Sequence, residues 1–487
     1  MIILFCEVFM KLNIIILTVI IISTVCCGKK NDPSIDKPIL IRIPKNQISD
    51  EFIEKYKFIP DHVHDDRYAF GYITYEESSE FSTKEIDFVD PNSIHYQLDP
   101  KNLAYKRNDI DPDKIQEGYH DYNQLTNKLE TLAAAPPNLT SLESAGKSVE
   151  NRELWYMRIN NKEKNLLSKP KILYIANMHG DEVVGRELSL KLIESLINDY
   201  PINPRIRNLV DHSDIFIMPS MNPDGFENRS RFNKNYKDLN RDFPDFVTDP
   251  KDSPDNREPE TQAIMRLHDE HHFLLTINFH GGALCFNLPW DTIANKISQK
   301  FADDKIISEL AREYVTTNVP MSKVNGGSFD RGVTYGYEWY EIDGSLQDWS
   351  NFYRGSIHGT VELSRVKWPP AYQLEQFWQN NRESMIHFLE RGSIGAHLAI
   401  KSIEGQLIQG RPIQISSSGR KLIYKTPLIH RPLPLNKQQI TVEVPGFISK
   451  TFVTEGETFR GYYKDIILTR KTSYTDLTHK ENSNIFN

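Results

Sequence analysis

Residues 171–182 read KILYIANMHGDE, and this stretch decides the fold class. Its first part, Lys171–Asn177, is a short apolar run of strand length, which indicates a buried β-strand. An amphipathic pattern that predicts a helix follows at once over Val183–Asn198. A buried strand that leads directly into a helix is typical of an α/β sheet.

The same alternation continues along the chain. Further strands are predicted at Asp214–Met218, Phe273–Phe279 and His358–Leu363. Helical spacing of apolar residues predicts helices at Tyr122–Ala134, Pro259–His272, Lys305–Thr316 and Tyr372–Leu389. We therefore expect an α/β domain over residues 116–391, with helices on both faces of its central sheet.

The helical spacing ends after Arg391. Short alternating stretches at Ala396–Ile400, Ile413–Ile415 and Gln439–Val444 are separated by turn residues. They predict a small all-β sandwich over residues 392–470. Residues 471–487 are polar, and we expect a disordered tail there.

Composition excludes several classes of protein. The chain has 487 residues, of which 39% are hydrophobic and 25% charged, and this excludes a disordered, collagen-like or multi-span membrane chain. The net charge of −8 gives no global reason to bind nucleic acid, so we expect no such partner. Four cysteines are too few for a disulfide-stapled scaffold or a cysteine-rich zinc module. We expect a monomer.

The N-terminus resembles a secretory signal peptide. Lys11 precedes the apolar run Ile14–Val25, which ends in small residues before Cys26, Cys27 and Gly28. We predict a signal peptide over residues 1–28 and a secreted chain. An uncleaved membrane anchor, for which the run is short, and a bacterial lipoprotein signal are the alternatives, so membrane association stays open.

Removal of the leader would leave Cys285 as the only cysteine, without a disulfide partner. We expect Cys285 to pack in a strand beside the functional site. Asn138-Leu-Thr and Asn228-Arg-Ser are glycosylation sequons, which predict a glycoprotein in a eukaryotic lumen.

Residues 29–115 form an N-terminal extension. Alternating stretches at Ile39–Ile43 and Tyr68–Tyr75 predict a few strands within it. The dibasic pair Lys106-Arg107 makes a pro-segment one hypothesis, and an ordinary solvated surface pair is the alternative.

Three residues at predicted strand ends have the chemistry of zinc ligands. His179 and Glu182 follow the first strand, and His280 ends the third, where open α/β sheets place their ligands. Two histidines and a glutamate form a catalytic zinc set that leaves one position for water. Each residue alone is as well explained by a hydrogen-bonded loop, but their joint placement favours a metal.

Other polar residues complete the candidate site. Glu362 lies inside the apolar stretch Thr360–Ser364, where a carboxylate is costly unless it is paired or catalytic. It is the natural general base, and a structural salt bridge is the alternative. Arg231 and Arg241 supply cations, of which guanidinium is suited to forked recognition of a carboxylate.

Together these residues resemble the zinc metallocarboxypeptidases, specifically the regulatory subfamily of carboxypeptidases D, E, M and N. The matching phrases are GKSVENRELWYMRI (146–159), HGDEVVGREL (179–188), PSMNPDGFE (219–227), DLNRDFPD (238–245), FHGGAL (279–284), EWYEIDGSLQDW (338–349) and TVELS (360–364). The resemblance runs from about 119 to 391 and implies a mixed central sheet. The β region after it resembles that subfamily's transthyretin-like domain, whereas 29–115 match no family.

The resemblance also implies residue roles. One Zn²⁺ would be bound by His179, Glu182 and His280, with Glu362 as the base. Arg231 would polarise the scissile carbonyl and stabilise the oxyanion. Asn240 and Arg241 would bind the substrate's C-terminal carboxylate, and Tyr340 would close over it as a mobile cap.

Specificity for a basic side chain is implied by two positions. Asp291, eleven residues after His280, matches the subfamily's acidic residue, and Gln347 matches its polar companion. A buried aspartate attracts Lys or Arg and rejects an apolar guest, which would leave its charge unpaired. A helix cap near Thr292 is the alternative role of Asp291.

The sequence departs from the subfamily at Asp181 and Asp242, where asparagine is usual, and at Ser345, where glycine is usual. We expect the two aspartates to add negative charge near the site. The expected function is a secreted exopeptidase that removes C-terminal Lys or Arg from peptides or proteins. The alternatives are a catalytically inactive binding protein on the same fold and a related zinc amidohydrolase or deglutamylase, against which the leader and Asp291 argue.

Overall fold

The structure is a computed structural model. It describes residues 38–56, 58–61, 68–74, 87–88, 118–134, 136, 138–164, 169–292, 303–393, 395–417, 420–431, 438–454 and 462–471. These residues fall into two compact units, one that ends with residue 88 and one that begins with Gly118. The predicted signal peptide, the Lys106-Arg107 pair and the predicted tail from residue 472 lie outside the described residues.

The first unit is a small sheet with one helix. Its elements are β1 (Pro38–Pro44), α1 (Asp50–Tyr56), β2 (Ile59–Pro60), β3 (Tyr68–Thr74) and β4 (Asp87–Phe88). The strands pair antiparallel in the order β2-β3-β1-β4, and Ile41, Phe58 and Ile73 fill the core. The strands predicted within residues 29–115 are confirmed, and the pro-segment hypothesis stays a prediction.

The second unit is built on an eight-stranded mixed sheet. Its strands are β5 (Thr140–Lys147), β6 (Glu153–Ile159), β7 (Lys171–Ala176), β8 (Asp214–Met218), β9 (Leu275–His280), β10 (Ala283–Leu288), β11 (Val333–Tyr335) and β12 (Ile357–Ser364). They run in the order β11-β10-β12-β9-β7-β8-β6-β5. The strands β12, β9, β7 and β8 are parallel neighbours, and β11 is parallel to β10. The pairs β10–β12, β8–β6 and β6–β5 are antiparallel.

Helices cover both faces of this sheet, as expected. They are α2 (Tyr122–Ala134), α3 (Val184–Asp199), α4 (Pro204–His212), α5 (Pro223–Glu227), α6 (Pro259–His271), α7 (Asp304–Thr317), α8 (Val319–Ser322), α9 (Gly336–Trp339), α10 (Leu346–Trp349) and α11 (Leu374–Arg391). On one face, Leu188 and Phe388 of α3 and α11 pack in a large apolar core. On the other face, Ile264 of α6 packs in a second core with Trp349.

Close packing at Gly185 fixes the loop that carries the candidate ligands. A Cβ atom at Gly185, in the first turn of α3, would lie 2.7 Å from Cβ of Phe279 in β9. Only glycine lets the helix approach the sheet this closely. The loop between β7 and α3, residues 177–183, is therefore held against the end of β9.

Two further sheets follow the α/β unit. The strands are β13 (Ala396–Ser402), β14 (Ile413–Ser417), β15 (Arg420–Tyr424), β16 (Leu428–Arg431), β17 (Gln439–Glu443), β18 (Lys450–Val453) and β19 (Tyr462–Leu468). The sheets β16-β13-β19 and β15-β14-β17-β18 enclose a core that includes Ile400, Ile415 and Ile440. This confirms the small all-β sandwich, while the exact domain boundaries stay a prediction. No helix among the described residues is both long and apolar enough to span a membrane.

Candidate metal and substrate site

The candidate site lies where the parallel strands of the large sheet end. His280 is the last residue of β9, and His179 and Glu182 lie in the loop that follows β7. Glu362 of β12 is the register partner of His280 in the adjacent parallel strand. Residues at paired positions of a sheet point to the same face, so this edge gathers all four side chains.

The three predicted ligands converge on one point. Nδ1 of His280 lies 2.9 Å from Oε2 of Glu182, and Nδ1 of His179 lies 3.0 Å from Oε1 of the same carboxylate. The two Nδ1 atoms are 3.1 Å apart. Tetrahedral zinc with bonds of about 2.0–2.1 Å separates its ligand atoms by roughly 3.3 Å. The observed spacing therefore fits one zinc ion.

The outer nitrogens of both rings are engaged, which directs Nδ1 toward the shared point. Nε2 of His179 lies 3.0 Å from Oδ1 of Asp238, to which it donates. Nε2 of His280 lies 2.8 Å from Nδ2 of Asn278, whose buried Oδ1 has no hydrogen-bond partner among the described residues. With the amide turned over, Oδ1 would accept Nε2–H, which is the tautomer that leaves Nδ1 available to zinc. A ligand histidine held by a carboxylate or amide at its other nitrogen is the usual arrangement around zinc.

The electrostatics of the donors also suit a metal. Burial lowers the pKa of His280 to about 4, so its imidazole is neutral at pH 7. Burial opposes ionisation of Glu182, but the charges of His179 and Lys367 hold the pKa of its carboxyl well below the usual value. Neutral imidazole and ionised carboxylate are the forms that bind zinc. His179, Glu182 and His280 thus fit the ion by donor type and spacing. Burial and Arg231 oppose protonation of His179, but Glu182 and Asp238 raise its pKa, and zinc would displace that proton on binding.

A narrow cavity opens beside these ligands. Among the residues that line it are Glu362, Tyr340, Asn240 and Asp291, together with His280. The structure therefore brings together one zinc ligand, the candidate base, the candidate cap and the candidate specificity residue. Glu362 is buried and Tyr340 is half-buried.

Asp291 is held at the wall of the cavity. Its Oδ1 accepts hydrogen bonds from Asn287 (2.9 Å) and Gln347 (3.2 Å). Asp348 accepts the backbone N–H groups of Asp291 and Thr292, which fixes the local backbone. A Cβ at Gly336 would lie 2.0 Å from Oδ1 of Asp291, so this position has to be glycine. The helix predicted to begin near Thr292 lies outside the described residues.

Arg241 and Asn240 lie in the turn after Asp238. Oδ1 of Asn240 accepts the N–H of Leu346, which anchors the turn to α10. Nη1 of Arg241 donates to the carbonyl of Asn240, whereas its Nη2 is buried and has no hydrogen-bond partner among the described residues. Arg231 lies deeper, where Nη1 is 3.1 Å from Nδ1 of His179 and Nε donates to Asp238.

Comparison with known proteins decides the family. The sequence profile described as "Zinc carboxypeptidase" matches residues 125–384. This chain belongs to the zinc carboxypeptidases. It is 36% identical to "Carboxypeptidase SOL1" of Arabidopsis thaliana over 346 residues, which cover 69% of this chain and 70% of that relative.

Two further relatives place the fold and the length. The zinc carboxypeptidase is 34% identical to "Carboxypeptidase D" of Anas platyrhynchos over 400 residues, which are 77% of this chain but 28% of that protein. This chain therefore spans little more than a quarter of that relative. The crystal structure of the carboxypeptidase A from Helicoverpa armigera superimposes with a TM-score of 0.54 at 17% identity, covering 74% of this chain and 98% of that one. The last similarity establishes the fold.

The departures from the subfamily pattern have structural partners in this carboxypeptidase. Asp181 forms an ion pair with the buried ammonium of Lys367 at 3.2 Å, so its charge is balanced locally. Burial raises the pKa of Asp242, which accepts the N–H of Glu258. Ser345 accepts the N–H of Asp348 and begins α10. The expectation that Asp181 adds negative charge near the site stays a prediction, and Lys367, which also pairs with Glu182, lies where it offsets part of that charge.

Sequence reasoning missed several residues that support the site. Lys367 lies 3.3 Å from Oε1 of Glu182, although 185 positions separate the two residues along the chain. Asp348 and Asn287 hold Asp291, and neither stands out in the sequence. Asn278 had a usable signal, because it lies two positions before His280 on the same face of a predicted strand. Cys285 is buried in β10 opposite Glu362, as predicted.

Proposed function

We propose that this zinc carboxypeptidase releases C-terminal Arg or Lys from peptides or proteins. The observation that carries the proposal is the placement of Asp291 in the wall of the cavity next to Glu362 and His280. Burial raises the pKa of Asp291, against hydrogen bonds from Ser345 and Asn287. A guanidinium or ammonium group of the substrate would relieve that burial cost, and an apolar side chain would not.

Arg241 and Asn240 would fix the end of the substrate. The buried Nη2 of Arg241 has hydrogen-bonding capacity to offer a carboxylate, and the planar guanidinium matches a carboxylate in forked geometry. Asn240 lines the same cavity with its amide anchored to Leu346. This pairing supports cleavage at the chain terminus rather than inside a peptide.

Glu362 would act as the general base. It would take a proton from the attacking water and deliver it to the leaving amine, so the same carboxylate would serve both proton transfers. Bound zinc would acidify the water and polarise the scissile carbonyl. Arg231, whose guanidinium lies beside the ligands, would stabilise negative charge that develops on the carbonyl oxygen.

Hydrolysis of defined peptides tests this function. Peptides that share one sequence and end in Arg, Lys, Leu, Phe or Glu are incubated with the purified chain, and the products are identified by mass spectrometry. We expect loss of a single terminal Arg or Lys, abolished by a chelator and restored by zinc. Absence of cleavage with zinc present, both for the full chain and for a chain cut after Arg107, would overturn the proposal and leave a binding protein on this fold as the alternative.

A further inference from the structure

A second, larger cavity lies where the parallel strands of the large sheet begin, at the opposite end of these strands from the candidate zinc ligands. Lys171 begins β7 and Asp214 begins β8, and both line this cavity of about 570 Å³. The segment Tyr424–His430, between the ends of β15 and β16, forms the other wall. Since β7 rises about 3.3 Å per residue, its length of roughly 17 Å separates this cavity from the loop that carries His179.

The charge of this cavity is opposite to that of the whole chain. We name it the basic cavity, and its cationic lining residues are Arg158, Lys162, Lys164, Lys169, Lys171 and Lys425. The two carboxylates in its lining are Asp214 and Glu270. The chain as a whole carries a net charge of −8, so six cations around one space are a local concentration of positive charge.

The six cations outnumber the two carboxylates of the lining, although Asp211 outside it also attracts Lys164 and Lys169. Asp214 is occupied by Arg158, which donates from Nε at 2.9 Å and from Nη2 at 2.8 Å. Lys169 donates to the carbonyl of Asn161, which carries no charge. Lys171 makes no side-chain hydrogen bond or ion pair within the described part of the chain.

Burial makes this arrangement costly without a ligand. Lys171 is half-buried, and burial lowers the pKa of its ammonium group despite the attraction of Asp214. His271 lines the same space, and its buried Nε2 lacks a hydrogen-bond partner among the described residues. Buried donors without acceptors cost free energy that an anion would return.

We propose that the basic cavity binds a small multivalent anion that carries phosphate or sulfate groups. Lysine ammonium groups are strong point charges for such groups, and they converge here from two separate parts of the chain. Lys171 is the first residue of β7, Lys169 lies two positions before it, and Lys425 comes from the β15–β16 segment. A bound anion would therefore join the α/β domain to the sandwich and stabilise both against unfolding.

Calorimetric titration of the full chain tests the site. The probes are inositol hexakisphosphate and a sulfated heparin disaccharide, which separate a phosphate source from a sulfate source, and uncharged inositol is the blank. We expect one of the two charged probes to bind and to raise the melting temperature. Lys171→Gln and Lys425→Gln should each weaken binding about tenfold, which is the effect of losing one charge-assisted hydrogen bond.

Lys323→Gln is the matched control. Lys323 is exposed and lies between α8 and β11, and its substitution changes the net charge by the same amount. It should leave the affinity unchanged. Because Lys425 is exposed, the Lys425→Gln protein should fold normally, and it tests the site even if Lys171→Gln perturbs β7. The proposal would be overturned if neither charged probe binds, or if Lys323→Gln weakens binding as much as the two test substitutions do.

Discussion

Glu362 and His280 are register partners on the adjacent parallel strands β12 and β9. The pairing fixes a carboxylate and a zinc ligand on one face of the sheet, independent of any loop conformation. Both residues are buried and line the same cavity. The proposed base and one candidate zinc ligand thus depend on one strand register.

Replacement of Glu362 by Gln should separate these two roles. Gln keeps the size of the side chain and removes the proton acceptor, so kcat/KM on a peptide ending in Arg should fall about 10²–10⁴-fold. Zinc content, measured by metal analysis, should not change. Glu375→Gln on the exposed surface of α11 is the control, and it should have full activity. A Glu362→Gln enzyme with more than a tenth of wild-type activity would contradict the assignment.

Asp238 should control zinc affinity without touching the ion. Asp238→Asn keeps the shape but weakens the acceptor for Nε2–H of His179, so the dissociation constant for zinc should rise about 10–100-fold. Competition with a chromophoric chelator measures this directly. Asp465→Asn, at an exposed position of β19, makes the same chemical change and should leave zinc affinity intact. Equal affinity for both variants would show that Asp238 does not orient His179.

His387 should make stability depend on pH. Hydrogen bonds to Glu313 and Glu390 raise the pKa of His387 to about 9, compared with 6.5 in the unfolded chain. The folded state therefore holds the proton more tightly, and the stabilisation is complete below pH 6.5 and is lost as pH rises through 9. Since the side chain is 37% exposed, we expect about 1 kcal/mol after solvent screening.

Urea unfolding of the wild type and His387→Gln measures this difference. The variant should have a lower free energy of unfolding at pH 6 and an equal one at pH 10. A difference of the same size at both pH values would mean that His387 acts through packing and not through its charge.

The parts of the fold that sequence predicted are those that local pattern determines. The predicted strand Lys171–Asn177 is one residue longer than β7, and the predicted helix Val183–Asn198 is displaced by one residue from α3. The agreement is this close because continuous apolar runs and helical spacing are strong signals. The strands β5 and β6 at the sheet edge were missed. β5, Thr140–Lys147, has few apolar residues and is little buried, so its pairing with β6 creates the strand.

The site shows the same division. His179, Glu182 and His280 were predictable, since each lies at the end of a strand that the sequence reveals. Lys367 and Asp348 were not, because their partners Glu182 and Asp291 are distant in sequence and meet them only in the folded chain. The roles of Asn240 and Tyr340 rest on their position in the cavity and on resemblance. Those of Arg241 and Gln347, which do not line it, rest on resemblance and on their neighbours, and all four stay predictions.

The central claim, that Asp291 selects a basic C-terminal residue, is tested most directly by one ratio. It is the ratio of kcat/KM for two peptides that differ only in a terminal Arg or Leu, measured for wild type and for Asp291→Asn. Loss of a buried charge partner costs about 2–5 kcal/mol. We predict that wild type prefers Arg at least about 100-fold, and that Asp291→Asn loses at least about 30-fold of this preference while its rate on Leu stays the same. A wild type that cleaves the Leu peptide as well as the Arg peptide, or an unchanged preference in Asp291→Asn, would contradict the account.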